Sequence, residues 1–182
     1  MIPFYKTPRF EKACLSKLDF PSEITQKLSN WANGNKGILF FAGNVGLGKT
    51  YFAAAFVNHL AENKKQFRCI SEYQFFGMLR ETIQKNWDYE MEIQKICEIP
   101  YLIIDDIVTA RDQKLSDFQK EALHLLIDMR YNSELPTLIT SNLFLDDIRI
   151  ILGEKIYSRL ASSENTIIQL NWLDRRTGET KT

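Results

Sequence analysis

"GNVGLGKT", residues Gly43 to Thr50, stands between an apolar run, "GILFFA", and a helix-like run, "YFAAAFVNHLAENKK". The pattern GxxxxGK[ST] is complete in it: Gly43, four residues, then Gly48, Lys49 and Thr50. A strand before it and a helix after it are the setting in which that pattern cradles phosphate. Glycines let the backbone curl so that successive N–H groups point inward at a β-phosphate, and the helix that follows adds the positive end of its dipole. The expected phosphate-binding stretch is therefore Gly43, Asn44, Val45, Gly46, Leu47, Gly48, Lys49, Thr50 and Tyr51. In it Lys49 reaches the β- and γ-phosphates and the Thr50 hydroxyl binds Mg²⁺.

Working outward, a loop of this kind calls for a carboxylate at the end of a neighbouring buried strand. "YLIIDDI" supplies it. Asp105 follows four residues of a continuous buried run and is the second expected Mg²⁺ ligand, while Asp106 is placed to orient an attacking water. An acidic pair at a strand end also serves as a turn or a helix cap, and only the company of the phosphate loop decides against that use. At the end of a later strand, "LITSN" places Ser141 and Asn142 where a polar side chain reaches the γ-phosphate or the water; an Asx turn is the competing reading. "EKIYSRL" carries Arg159 on a helical segment near Lys155, and on spacing alone Arg159 reads as a surface cation paired with Glu154 or with nothing.

The remaining pattern is one of alternation. Strands are expected at 37–42, 66–71, 101–105, 136–142 and 165–172, with helices at 49–63, 72–85 and 88–98. A further helix repeats Leu115, Phe118, Ala122, Leu125 and Met129. A first helix begins near Ser22, carries Ile24, Leu28 and Trp31, and ends at Gly34. Strands alternating with helices predict an α/β fold with a five-stranded parallel sheet covered on both faces. Residues 1–20 hold Pro3 and Pro8 among basic side chains and read as an extended N-terminal arm, leaving 21–182 as the single domain.

Composition bounds the function. The 182 residues are 45% apolar, enough for one core, and 23 basic residues balance 23 acidic ones, so no overall field draws the chain to nucleic acid or an anionic membrane. Cys14, Cys69 and Cys97 lack the close pairing of a zinc or redox motif and are expected as buried, reduced thiols. His59 and His124 have no metal-ligand company. No run approaches the roughly 20 apolar residues that span a bilayer, and the N-terminus has no signal-like apolar region, so no membrane partner and a cytoplasmic location are expected.

Taken together, "GNVGLGKT", "YLIIDD", "LITSN" and "LGEKIYSRL", with the lead-in "RFEKACLSKLDF", resemble the bacterial and phage helicase-loader ATPases of the DnaC/DnaI type; the IstB-type transposition ATPases look similar. The resemblance runs from that lead-in to "QLNW". It implies a P-loop NTPase fold of the AAA+ type, a three-layer sandwich with the sensor strand between the loop strand and the acidic-pair strand. It implies ATP and Mg²⁺ as cofactors, and a catalytic set of Asp106, Asn142 and Arg159. In such ATPases the arginine reaches into a neighbour's nucleotide, so the chain is expected to form a homo-oligomer on ATP and to be a weak ATPase as a monomer. A replicative DNA helicase is the implied partner, with single-stranded DNA as a weaker one.

The departures from the family shape the expectation. Asp106 stands where glutamate is usual and is one methylene shorter, so slow hydrolysis is expected. Val108 stands where loaders often have Gly, and Lys155 where relatives often have a second arginine, whose bidentate contact Lys cannot make. Ten residues after Leu170 and its "NW" leave no room for a C-terminal helical lid, so Arg175 and Arg176 read as a solvated tail. Some twenty residues before the first helix leave no room for a helicase-binding domain. Between the second and third strands, Glu72 to Glu98 holds six acidic and three basic residues, which argues against a strong phosphate track. Arg80, Lys85 and Phe118 are the DNA-contact candidates there, Phe118 as a stacking surface, set against a reading as solvated charge and core aromatic. Two further functions stay open beside the helicase loader: an IstB-like transposition regulator, and a non-hydrolysing ATP-binding adaptor or decoy. A small-molecule kinase is less consistent, having no use for a trans-acting arginine.

Overall fold

Short apolar runs rich in Ile, Leu and Phe form strands here because both faces of the sheet are covered, and longer amphipathic runs form the helices that cover them. The computed structural model describes residues 4–34, 36–108 and 110–170. In chain order the elements are α1 (Ser22–Gly34), β1 (Ile38–Gly43), α2 (Lys49–Glu62), β2 (Phe67–Ser71), α3 (Glu72–Gln84), α4 (Tyr89–Cys97) and β3 (Tyr101–Ile107). They continue as α5 (Asp117–Asn132), β4 (Thr137–Ser141), α6 (Leu145–Leu152), α7 (Glu154–Leu160) and β5 (Thr166–Leu170). The sheet is parallel throughout, in the order β2-β3-β4-β1-β5. The strand carrying Asn142 at its end thus lies between the loop strand and the acidic-pair strand, as expected.

Alternation along each strand divides the interior into two layers. Ile38, Phe40 and Ala42 of β1 face the cluster built with α3 to α7, whereas Leu39 and Phe41 face the one built with α1 and α2. Phe40, Phe41, Phe52 and Phe56 are fully buried, each contributing about 1.5–3 kcal/mol by leaving water. Ser71 with Gln74 and Ser116 with Gln119 form capping boxes that start α3 and α5, and the Asp88 carboxylate caps α4.

Three expectations need correction. The N-terminal segment is not extended: it makes 3₁₀ turns at Phe4–Lys6 and Leu15–Lys17 and lies along α2. Its prolines forbid regular helix, but its aromatic residues still have apolar area to bury. Tyr5 meets Phe67, Phe20 meets Phe41, and Ala13 packs on Ala54 and Ala55. Asn58 on α2 pins the segment by donating to the carbonyls of Ala13 (2.9 Å) and Phe10 (3.1 Å).

The buried stripe of α5 is also rotated from the expected one. Leu115 precedes the helix, and the fully covered residues are Ala122, Leu123, Leu126, Ile127 and Arg130. A charged residue at the end of that stripe hid it from a hydrophobic reading. Finally, the cysteines are not all buried. Cys97 is, Cys69 is partly covered, and Cys14 is exposed beside Ser16. The "NW" that was to end β5, and Arg175 and Arg176, lie outside the described residues.

Candidate nucleotide-binding site

The loop from Gly43 to Gly48 follows β1, which lies between the central strand β4 and the edge strand β5. Its glycines are required by space and by conformation. A Cβ on Gly43 would stand 2.7 Å from the carbonyl oxygen of Leu170, and Gly48 takes φ +89°, which L side chains disfavour. Leu47 turns its side chain into the core and anchors the loop, while Val45 is exposed. Lys49 is buried, and its ammonium donates to the carbonyls of Gly43 (2.6 Å) and Asn44 (3.0 Å). Gly43, Asn44 and Leu47 therefore form the base of the loop. Val45, Gly46, Gly48, Lys49, Thr50 and Tyr51 line an open cavity above it.

Opposite the loop, the cavity is lined by Asp106 and Asn142. Asp105 lies beneath it, because strand alternation turns its side chain to the α2 face with Tyr101 and Ile103. There it accepts from Thr140 Oγ1 at 2.7 Å and meets the Thr50 hydroxyl. Burial pushes the Asp105 carboxyl up to about 6, and the bond from Thr140 and the nearby Lys49 and Thr50 pull it back. Burial raises Asp106 as well, against Lys49. Asn142 Nδ2 donates to Asp106 Oδ1 at 2.8 Å, so the structure brings these two expected residues together. Beneath them Thr140 Oγ1 also accepts from the Asp106 amide at 2.8 Å.

A buried carboxyl beside a threonine hydroxyl, with a lysine next to it and glycine amides above, is the donor set that suits a magnesium-bound polyphosphate. Thr50 and Asp105 would hold the metal, and Lys49 and the loop amides the phosphates. Among the described residues no cluster of three His, Cys, Asp or Glu side chains is arranged to hold a metal.

A model of the bacterial DnaA ATPase domain matches residues 16–163. The chain belongs to that family. It is 23% identical over 174 residues to the replicative helicase loader DnaC of Escherichia coli K12, a match covering 93% of this chain and 69% of DnaC. The fold superposes on a crystal structure of the DnaC helicase loader with a TM-score of 0.75 at 22% identity, covering 90% of this chain and 99% of that one. It also superposes on the replication initiator DnaA bound to AMPPCP and single-stranded DNA, with a TM-score of 0.73 at 15% identity, covering 90% and 51%. The chain thus spans about half the length of the AMPPCP-bound DnaA chains it resembles.

Within this DnaA-type ATPase domain several expected residues lie away from the cavity of their own chain. Arg159 does not line the cavity of its own chain. Its Nε donates to Asp128 of α5 at 2.6 Å and its guanidinium lies over the Tyr131 ring, while Glu154 pairs instead with Arg149. Ser141 does not face the cavity; fully buried, it donates to the carbonyl of Ile107 at 2.8 Å. Phe118 is half-buried, with its ring in an edge contact with Tyr89. Lys85 instead lies over Trp87, which is 63% exposed, and Tyr73 is 72% exposed.

Sequence reasoning also missed Arg9 and Phe10, which the folded-back N-terminal segment brings to the mouth of the cavity beside Tyr51. Their signal was the aromatic content of a stretch otherwise read as an arm. Thr140 was within the quoted "LITSN" but is meaningful only through β3–β4 pairing. No helix of the described residues is long and apolar enough to cross a membrane.

Proposed function

We propose that this chain binds ATP with Mg²⁺, hydrolyses it slowly, and acts on a replicative DNA helicase, with single-stranded DNA as a second ligand. The observation that carries the reading is the convergence of Lys49, Thr50, Asp106 and Asn142 on one cavity at the C-terminal ends of β1, β3 and β4, with Asp105 beneath it against Thr50. The names of the similar proteins, a helicase loader and an initiator bound to single-stranded DNA, supply the biological setting.

Each residue has a definite task in this reading. The loop amides and Lys49 bind the β- and γ-phosphates, and the first turn of α2 adds its dipole. Thr50 and Asp105 hold magnesium, which when bound neutralises phosphate charge. Asp106, held by Asn142, orients the attacking water. Arg9, Phe10 and Tyr51 stand where the rest of the nucleotide leaves the loop. Arg159 serves a neighbouring copy, so turnover requires an oligomer formed on ATP. Its pairing with Asp128 does not oppose this, because Arg159 is 40% exposed and surface pairs contribute only about 0–1 kcal/mol. The exposed Tyr73 and Trp87, with Arg80 and Lys85, form the contact face for the partner or for DNA bases.

A second reading, an ATP-binding adaptor without turnover, draws on the short side chain of Asp106 and its engagement by Asn142. The mass in solution with and without a non-hydrolysable ATP analogue, together with turnover across protein concentrations, separates the two. The ATPase reading expects assembly on the analogue and specific activity that rises with concentration. Assembly without turnover at any concentration supports the adaptor. Affinity capture of a hexameric helicase supports the loader assignment, and capture of a transposase the IstB-like one.

A further inference from the structure

Glu72 opens α3, immediately after Ser71, which pairs in register with Asp105. Because β2 and β3 run parallel, Glu72, just past the end of β2, comes beside Asp106 near the end of β3. A glutamate at the start of a helix is ordinarily solvated and favoured there by the dipole. This one is only 8% exposed. One oxygen, Oε2, accepts from Gln113 Nε2 at 3.1 Å, while Oε1 is buried with no hydrogen-bond partner among the described residues. Burial pushes the carboxyl up, opposed by its bonds from Gln113 and the Val108 backbone amide, with Asp106 adding to the push. Leaving a buried oxygen unpaired costs about 1–3 kcal/mol, so stability does not explain the placement.

The backbone beside it does. Asp106 and Val108 take φ of +65° and +44°, although neither is glycine and valine is β-branched. The pairing of β3 with β4 shifts register in the same place, between Ile104 and Ile107. Residues in such regions cost about 1–3 kcal/mol each and persist only where surroundings fix them. Thr140 fixes the Asp106 amide and Ser141 fixes the Ile107 carbonyl. The Val108 amide is left to Glu72.

We propose that Glu72 is a positioning residue for ATP hydrolysis: through a single carboxyl oxygen, it holds the Asp106–Val108 backbone in the conformation that presents Asp106 to the nucleotide cavity. The proposal rests on the ATPase reading given above. It also ties Asp106 to the first residue of α3, the helix that carries the exposed Tyr73. Because Oε1 is unpartnered, one acceptor atom suffices. A glutamine keeps that acceptor and sets its NH₂ where the unpartnered Oε1 stood, whereas an alanine removes the hold.

The test compares Glu72→Gln and Glu72→Ala in the full chain by ATP affinity, kcat under assembling conditions, and exchange of the Val108 amide measured by NMR. In Glu72→Ala, kcat should fall by about tenfold or more with ATP affinity unchanged, and Val108 exchange should quicken by about as much. Glu72→Gln should stay within about twofold of the wild type in both. Equal loss of kcat in the two variants, or a protected Val108 amide in Glu72→Ala, would overturn the proposal. So would quickened exchange with normal kcat. A wild type that never turns over ATP removes the ATPase reading and the catalytic part of the proposal with it, while Val108 exchange still decides whether Glu72 holds the backbone.

Discussion

Arg130 and Lys49 are both buried cations at opposite ends of the same sheet. Near the N-terminal ends of β3 and β4, the five N–H donors of Arg130 are all used. They go to the hydroxyl of Thr137 and to the carbonyls of Cys97, Ile99, Pro100 and Pro136. Burial lowers the guanidinium to about 10, and it remains charged at neutral pH. At the other end Lys49 binds loop carbonyls whose backbone bends at glycines, next to carboxyls that burial has raised. A cation saturated by fixed carbonyls joins the strand ends and has no capacity for a ligand. One held by a glycine loop beside under-stabilised carboxyls can exchange its partners for phosphate. Burial of charge alone does not mark a functional site; the supply of partners does.

The contrast can be broken by substitution. The largest effect is expected at a third cation, Arg159, whose partner is meant to lie outside its own chain. Arg159→Ala should lower turnover by about 10³ to 10⁵, or roughly 4 to 7 kcal/mol of barrier, with ATP affinity retained in an equilibrium titration. Next comes Arg130→Met, which takes the guanidinium donors away from the carbonyls of Cys97, Ile99, Pro100 and Pro136, the last of which keeps only its bond from the Leu102 amide. It should lower unfolding free energy by about 3–5 kcal/mol in urea denaturation while the folded fraction binds ATP normally. Impaired ATP binding by folded Arg130→Met would erase the distinction between the two ends.

Gly43→Ala sharpens the comparison from the loop side. Its Cβ would press on the Leu170 carbonyl at 2.7 Å, a backbone atom that cannot swing away. A cost of about 1–3 kcal/mol in stability is expected, with weakened ATP binding as the loop shifts. The smallest effect concerns the thiols. The bond from Ser16 lowers Cys14, whereas burial pushes Cys97 up to about 11 and Cys69 higher still. A thiol-specific reagent near pH 8 should modify Cys14 in the native protein, and the other two only on unfolding.

Much of the site was legible because its chemistry is local in sequence. The glycines, Lys49 and Thr50 occupy one loop and its helix start, Asp105 ends a continuous apolar run and Asn142 closes the strand-like "LITSN", so strand and ligand could be read together. The placement of β4 between the loop strand and the acidic-pair strand followed from the family resemblance. What escaped depends on contacts between distant segments. Arg130 has no sequence signal, because the carbonyls preceding β3 and β4 that close over it come from distant segments. Arg9 and Phe10 reach the cavity only because Asn58 and an alanine face on α2 hold the N-terminal segment. Val108 was noted as a departure where relatives often have glycine; its positive φ shows why glycine would suit that position.

Isothermal titration calorimetry of the pure protein with ATP and Mg²⁺, beside Lys49→Ala, tests the central claim most directly. One ATP per chain for the wild type, with affinity reduced by about 10- to 100-fold in Lys49→Ala, is the predicted result. Absence of heat from the wild type, or equal affinity in the two proteins, would contradict the claim that ATP binds at the C-terminal end of the sheet.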